Sequence, residues 1–392
     1  MMKNLYDDAV AASLNDDKLA LRVYTSRLLG QSDGLVLHGG GNTSVKIGDT
    51  LYVKGSGWNL ATIEKAGFSP VDLARLQKLA TRERLSDTEM VKEQRAALRD
   101  PDAPNPSIEA ILHAIIPFDY VDHTHADAVV TLSNTPDGKA ILEELYGDRV
   151  LIVDYMMPGF ILSRHIYEQT RHLDWNRIEG IVLMHHGLFT FDNDAKRSYD
   201  RMIDLVNEAE TYIAQETLHY PQCISGEFRP DMLTKLTDEV SRLRKTNVTL
   251  KLIDSIAACT LSKNLMVEQI VRNGGLTPEH VIRIKPFPAV IDKDITAGID
   301  EFVKAYRDYF NTYASPGQIM LDPAPRYAII KGVGAVAFGK DEREAEIIAD
   351  IVEHTIRAIL TAEQLGGWKS LTFQELFAME YWELEQAKLQ KS

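Results

Sequence analysis

The chain has 392 residues, and 43 lysines and arginines stand against 57 aspartates and glutamates, for a formal charge of −14. At roughly 100–200 residues per domain this length predicts two domains, and 45% apolar with 26% charged residues excludes a disordered chain, a collagen-like fibre and a disulfide scaffold. So acidic a protein suits neither nucleic acid nor an anionic membrane, so a phosphate would have to be held by local donors and not by the overall field.

The first eight residues, Met1 to Asp8, contain no apolar core of a signal peptide. Residues 16–30 read as an amphipathic helix with Leu19, Val23, Leu28 and Leu29 apolar and Gly30 as its stop. Leu35 to Ile47 reads as a strand, a glycine turn (Gly39-Gly40-Gly41) and a second strand, and Leu51-Tyr52-Val53 is its hairpin partner. Lys54-Gly55-Ser56-Gly57 makes a second glycine loop. The stretch 82–105 is charged and then proline-rich, which predicts a surface excursion. Ser107 to Ile116 is a helix start with Ser107 as cap. Tyr120 to Leu132 reads as a strand entering a helix. The best uncharged apolar run, Tyr155 to Ser163, is far too short to span a membrane.

Gly180 to Met184 reads as a buried strand, followed by His185-His186-Gly187, the strand-like Leu188-Phe189-Thr190-Phe191 and a long helix over 194–218. Composition turns polar across 220–250, which places a domain boundary near 225 and divides the chain into 1–225 and 226–392. The two cysteines, Cys223 and Cys259, show no CxxC spacing, so a reduced, cytoplasmic protein is expected. Helices near 251–272 and 297–314 flank Val281-Ile282-Arg283-Ile284. Tyr327 to Phe338 and a helix over 341–365 then repeat the layout of 180–218. An offset of 147 aligns Gly187 with Gly334, Phe191 with Phe338, Asp194 with Asp341, and His186 with Val333. A duplicated unit that lost its histidine and a chance likeness both fit this pattern.

His123-Thr124-His125 is the first feature with chemistry in it. On a strand, residues i and i+2 share a face, so both imidazoles reach one point. A metal site with an open position needs a third ligand. His186 suits, because it ends an apolar run and precedes Gly187, which permits a sharp turn. His185 points the other way on an extended chain. The remaining histidines, His113 among them, read as surface, capping or packing residues. The loops around Gly41-Asn42-Thr43-Ser44 and Gly55-Ser56-Gly57 offer backbone amides and hydroxyls to an anion, and Ser107 adds helix-terminal amides. Glu109, in the first turn, either complements the helix dipole or serves as a general acid/base.

Gly41-Asn42-Thr43-Ser44, Lys54-Gly55-Ser56-Gly57, Pro106-Ser107-Ile108-Glu109, His123-Thr124-His125 and His185-His186-Gly187 together resemble, in order, the class II aldolase/adducin family over residues 15–220. Thr277 to Arg283, Asp322-Pro323-Ala324-Pro325-Arg326, and Leu365-Gly366-Gly367-Trp368 through Glu380-Tyr381-Trp382 resemble the aldolase half of bifunctional rhamnulose-1-phosphate aldolase/alcohol dehydrogenases. No TGxxxGxG-type nucleotide loop occurs, so the reductase half is expected to be absent.

The resemblance implies an α/β fold: a three-layer α-β-α domain with a central mixed or antiparallel sheet over 1–225, and a smaller α/β domain over 226–392. It implies that His123, His125 and His186 hold zinc or another divalent metal and that Glu109 is the catalytic acid/base. Gly41, Asn42, Ser56, Gly57 and Ser107 would cradle a substrate phosphate. Lys54 stands where small aldolases often have threonine and would supply a charge, and Ile108 stands where they often have a second serine. The expected reaction is cleavage of a ketose 1-phosphate, rhamnulose-1-phosphate-like, to dihydroxyacetone phosphate and an aldehyde. The expected partners are a small phosphorylated sugar and further copies of the chain, a tetramer by family likeness, with no nucleic acid and no membrane. Other uses of the scaffold are a sugar-phosphate epimerase, a dehydratase, a decarboxylase or a non-catalytic adducin-like binding protein.

Overall fold

The computed structural model describes residues 1–14, 16–220, 222–278 and 280–384. The chain forms two compact units, residues 1–133 with 138–213, and residues 134–137 with 214–392.

In the first unit, β1 (Asn42–Ile47) and β2 (Thr50–Lys54) form a hairpin closed by Gly48, whose φ of +61° suits a two-residue turn. β3 (Phe68–Asp72) pairs with β2, and β4 (Tyr120–Thr124) pairs with the other side of β1. β5 (Val150–Val153), β6 (Gly180–Leu183) and β7 (Gly187–Asp192) complete a seven-stranded sheet in the order β3-β2-β1-β4-β7-β6-β5. Every neighbouring pair is antiparallel except β5 with β6. The sheet is mixed and mostly antiparallel, as expected.

Helices cover both faces of this sheet. Alternation along each strand sends every second side chain to one side. Leu51, Val53 and Val71 pack with Leu76, Leu79, Met90 and Ile111, and Val121, Phe189 and Phe191 pack with Leu112, Leu162 and Ile166. On the opposite face, Val45 and Tyr120 pack with Leu21 and Ala195. Lys46 is buried at the end of the helix Ala110–Ile115 and donates to the carbonyls of Ile116 and Phe118 at 2.7 and 2.6 Å; burial pushes its amine down to about 7.

Three local readings change. Leu35 to Leu37, expected to be a strand before the glycine turn, form turn and coil. The charged stretch within 82–105 contains a helix, Asp87–Ala96, started by a reciprocal cap in which Ser86 and Glu89 exchange hydrogen bonds. Ser-x-x-Glu is the signature of that cap. The helix after Ser107 begins at Ala110; Glu109 sits at its cap position without a capping side-chain bond, and the Ser107 hydroxyl accepts from the Glu109 N–H at 3.3 Å.

In the second unit, β8 (Thr249–Ile253), β9 (Ala289–Ile291), β10 (Tyr327–Ile330) and β11 (Gly334–Gly339) form a sheet in the order β8-β11-β10-β9. Residues expected to open a helix at 251 instead form β8, because five residues of ladder to β11 outweigh their helical preference. The helix follows at Ile256–Ser262. Val281 to Ile284 lie in the short helix His280–Ile284, and Glu279 lies outside the described residues. The two cysteines are joined as a Cys223–Cys259 disulfide, with Cα atoms 5.9 Å apart. This corrects the expectation of reduced thiols; 36 residues of chain separate the pair, so spacing alone could not reveal it.

The two motifs near the C-terminus meet in a network that runs from the half-buried Asp322 and Arg326 to the buried Lys285 and Glu380. Arg326 forks onto Asp322 at 2.8 and 2.6 Å, the Tyr306 hydroxyl donates to Glu380 at 2.8 Å, and Lys285 donates to the Asp322 carbonyl at 2.8 Å over the face of Tyr306.

The repeat is visible in strand register. Gly180, Ile181, Val182 and Leu183 pair with Thr190, Phe189, Leu188 and Gly187, while Tyr327, Ala328, Ile329 and Ile330 pair with Ala337, Val336, Ala335 and Gly334. Each partner is displaced by the same 147 residues. A parallel strand flanks both hairpins on one side, β5 or β9, and an antiparallel strand flanks them on the other, β4 or β8. The second sheet therefore repeats β4-β7-β6-β5 of the first. Through these ladders His123, His125 and His186 correspond to Leu252, Asp254 and Val333.

The helix Lys18–Gly30 is bound to β4 by an ion pair without solvent access. Arg22 meets Asp122 at 2.5 Å, both side chains are 0% exposed, and the remaining donors and acceptors reach Thr25, Ser26, the Ser44 carbonyl and Ser198. Removing one partner strands a charge in the interior, which costs about 3–5 kcal/mol. Asp122→Ala is expected to lose stability in that range by urea denaturation. A loss below about 1 kcal/mol, the scale of an exposed pair, would refute the role given to this contact.

Candidate metal and proton-transfer site

Three turns of chain bring the imidazoles together in the first unit. His123 lies near the end of β4, paired to Asn42 of β1 on one side and Phe189 of β7 on the other. His125 lies just past the strand, held by its N–H to the Leu35 carbonyl at 3.0 Å. His186 lies in the tight connection between β6 and β7, its N–H bonded to the Leu183 carbonyl at 3.0 Å. His185 takes the left-handed bend of that connection, with φ +62°. The turn thus spends one histidine on its geometry and presents the other.

Gly187 has to be glycine because of its close neighbours, since His185 and not Gly187 takes the bend. A Cβ there would come within 2.3 Å of the Thr124 carbonyl oxygen and 2.9 Å of the His123 ring. At Gly41, with φ +62°, a Cβ would come within 2.6 Å of the His123 carbonyl oxygen.

One nitrogen from each of His123, His125 and His186 lies within 4.8 Å of the other two. His123 and His186 are buried and His125 is half-buried. The His123 Nδ1 lies 3.1 Å from the Leu188 carbonyl, which can only accept, so that nitrogen carries the proton and Nε2 offers its lone pair inward. Glu109 completes the group. Its Oε2 lies 3.4 Å from His123 Nε2 and its Oε1 lies 3.8 Å from His186 Nε2. The Glu109 side chain is 5% exposed, yet Oε1 has no hydrogen-bond partner. Three imidazole nitrogens with an unsatisfied carboxylate oxygen beside them fit a divalent cation with an open coordination position.

Glu109 is held from behind. The Asn42 amide donates to Oε2 at 2.6 Å, and the Asn42 oxygen meets His113 Nε2. His113 is buried, with its Nδ1 2.8 Å from the Ser44 hydroxyl. His113 thus lies at the centre of the site's polar contacts, where the sequence reading gave it packing or capping. The available signal was its spacing, four residues after Glu109 along one helix.

The remaining candidates surround Lys54. Its amine donates to the Gly39 carbonyl at 3.0 Å, and its own carbonyl accepts from the Ser107 N–H at 2.9 Å. Gly55 bridges to Pro106, and the Ser56 N–H donates to the Asn105 carbonyl at 2.8 Å. The loops of Gly39 to Gly41, Lys54 to Gly57 and Asn105 to Ser107 are thereby tied together. Ser56 and Gly57 are exposed, Ser107 is half-buried, and Lys54 is buried. Asn42 commits both ends of its side chain to Glu109 and His113.

The family model for the class II aldolase and adducin N-terminal domain matches residues 20–213, and that for the second domain of class II aldolases matches residues 228–389. The uncharacterized oxidoreductase YuxG of Bacillus subtilis (strain 168) is 31% identical over 430 residues. That match covers 99% of this chain and 60% of the relative, so the chain spans less than two thirds of that protein's length. The N-terminal class II aldolase domain of a conserved protein from Thermoplasma acidophilum is 35% identical, with a TM-score of 0.50 over 54% of this chain and 100% of that one. L-fuculose-1-phosphate aldolase from Thermus thermophilus is 17% identical, with a TM-score of 0.34 over 50% of this chain and 95% of that one. With its five motifs inside the first matched region and nearly all of the rest inside the second, the chain belongs to the class II aldolase and adducin family.

Proposed function

We propose that this protein is a metal-dependent aldolase that cleaves a ketose 1-phosphate to dihydroxyacetone phosphate and an aldehyde. The observation that carries this reading is the buried carboxylate of Glu109 set against three converging imidazoles. Adducin-type binding needs no such group. A divalent cation held by His123, His125 and His186 would supply Lewis-acid stabilisation of the oxyanion formed as the carbon–carbon bond breaks. Neutral imidazole ligands leave the charge of such a cation uncompensated, which suits an anionic fragment. In cleavage the Glu109 carboxylate takes up the proton released by the hydroxyl that becomes the aldehyde carbonyl and gives it to C1 of the dihydroxyacetone phosphate fragment; the reverse reaction runs the same two transfers backward. The tied loops carrying Gly41, Ser56, Gly57 and Ser107 offer amides and hydroxyls to the phosphate, with the Lys54 charge among them. A retro-aldol assay across ketose 1-phosphates, read as release of dihydroxyacetone phosphate, tests the reading. Epimerised or dehydrated product without that release would overturn it.

Two variants test the metal assignment. His186→Ala is expected to empty the site, and His185→Ala to retain the ion, read as bound metal per chain by elemental analysis. Equal loss in both would overturn the choice of His186. The stoichiometry is expected to be one ion per chain, since Leu252, Asp254 and Val333 stand where the second unit would need its ligands.

The role of Glu109 is tested by Glu109→Gln. Loss of a general acid/base lowers turnover by about 10²–10⁴-fold, whereas loss of a helix-dipole partner costs about 0.3–1 kcal/mol of stability and leaves turnover intact. The expected result is the first, with metal content unchanged. Near-normal turnover in a metal-replete variant would overturn the mechanism.

A further inference from the structure

Asn42 and Ser44 are two residues apart on β1, so their side chains share a face. Glu109 and His113 are four apart along one helix, so theirs do too. The two faces meet in an unbroken line: Ser44 to His113 at 2.8 Å, His113 to Asn42, and Asn42 to Glu109 at 2.6 Å.

The direction of this line is set at its end. The Asn42 amide nitrogen is the atom that donates to Glu109 Oε2, which leaves its oxygen facing His113. That oxygen needs an N–H, so His113 carries its proton on Nε2. Its Nδ1 then holds a lone pair and accepts the Ser44 hydroxyl proton. Every donor points toward Glu109, and each bond polarises the next. Burial holds His113 well below the ordinary histidine range, so the ring stays neutral and Nδ1 stays an acceptor. The ring is also fixed in place. Phe189 packs edge-on to His113 at 5.5 Å and flat on His123 at 4.0 Å. Were the proton on Nδ1 instead, Asn42 would flip and set its oxygen against the carboxylate.

We propose that His113 is a positioning residue for proton transfer: its Nε2–H tautomer, completed by the Ser44 hydroxyl at Nδ1, locks Asn42 in the orientation that grips Glu109 Oε2 and leaves Oε1 toward His186. This rests on the reading of Glu109 as the proton carrier. A filler of the core would need only the shape of the ring; a positioning residue needs its N–H.

The test sets shape against hydrogen bonding. His113→Phe keeps the ring and removes the donor, while His113→Gln loses the ring and keeps an N–H for Asn42. Turnover is expected to fall by about 10²-fold in His113→Phe, the scale of a misplaced reacting group, and to recover at least about tenfold of that in His113→Gln. KM and bound metal are expected to stay within about twofold. Full turnover in His113→Phe, or Gln performing no better than Phe, would overturn the proposal. A readout independent of turnover is the ring's ¹⁵N NMR signature in the full-length protein as purified. The Nε2–H tautomer is expected, and Ser44→Ala is expected to disturb it without removing the ring; an Nδ1–H tautomer in the unsubstituted protein would overturn the proposal even if His113→Phe failed to fold. If Glu109→Gln retains turnover, the proton-carrier reading falls and the proposal with it. If Glu109→Gln is inactive while His113→Phe is active, the positioning proposal falls alone.

Discussion

Everything at the site depends on the alternation of β4. A strand sends neighbouring side chains to opposite faces, and here neighbours carry opposite duties. Asp122 goes to one face and closes a solvent-free ion pair with Arg22, which fastens the helix Lys18–Gly30 across the back of the sheet. His123 goes to the other face and enters the histidine group. A slip of one residue in β4 would send each to the opposite face, taking the imidazole out of the histidine group and the carboxylate away from Arg22. The ion pair resists that slip, since breaking it would leave both charges buried and unpaired. Stability on one face and register on the other are one constraint.

From that strand the site is assembled by neighbours. β1 supplies Asn42 and Ser44, β7 supplies Phe189, and the β6–β7 connection supplies His186. The helix Ala110–Ile115 brings Glu109 and His113 as a pair. Each contributing element is regular, and irregular backbone is confined to short turns such as His38 to Gly41 and His185. Polar side chains that face inward find partners in one another: Ser26 with Thr43, Ser44 with His113, and Asn42 with Glu109. Glu109 Oε1 has no such partner and faces His186.

How much of this is legible in the chain depends on whether the contact is local. The i and i+2 spacing of His123 and His125 and the glycine after His186 carry their meaning within three residues, so the histidine cluster can be read directly. The glycine loops and Glu109 are legible through their order along the chain. Arg22 and Asp122 lie 100 residues apart, and nothing near either announces the other. His113 is misread for a related reason: a histidine inside an apolar helical stretch looks like packing until β1 is placed against it. Asn42 reads from its glycine loop as a phosphate donor, while its partners lie 67 and 71 residues away. The Cys223–Cys259 pair likewise depends on distant closure. In the second unit, local preference misplaces β8, which is a strand because β11 is there to pair with it.

The shared register of the two hairpins separates what the scaffold needs from what catalysis needs. Both copies keep turn length, pairing and a residue of positive φ in the bend, His185 in one and Gly332 in the other. The four-stranded half is thus a reusable frame indifferent to the side chains at its rim. The first copy differs by its extra wing, β3-β2-β1, which covers β4 and supplies Asn42, Ser44 and Lys54. Without such a wing β8 is an edge, and Leu252, the counterpart of His123, stands 38% exposed. Histidines grafted at Leu252, Asp254 and Val333 would stand on an uncovered edge, without the strand that supplies Asn42 and Ser44 in the first unit. Modularity in this fold therefore runs along the sheet: one half can be copied freely, and the enclosure that makes it reactive has to be added strand by strand.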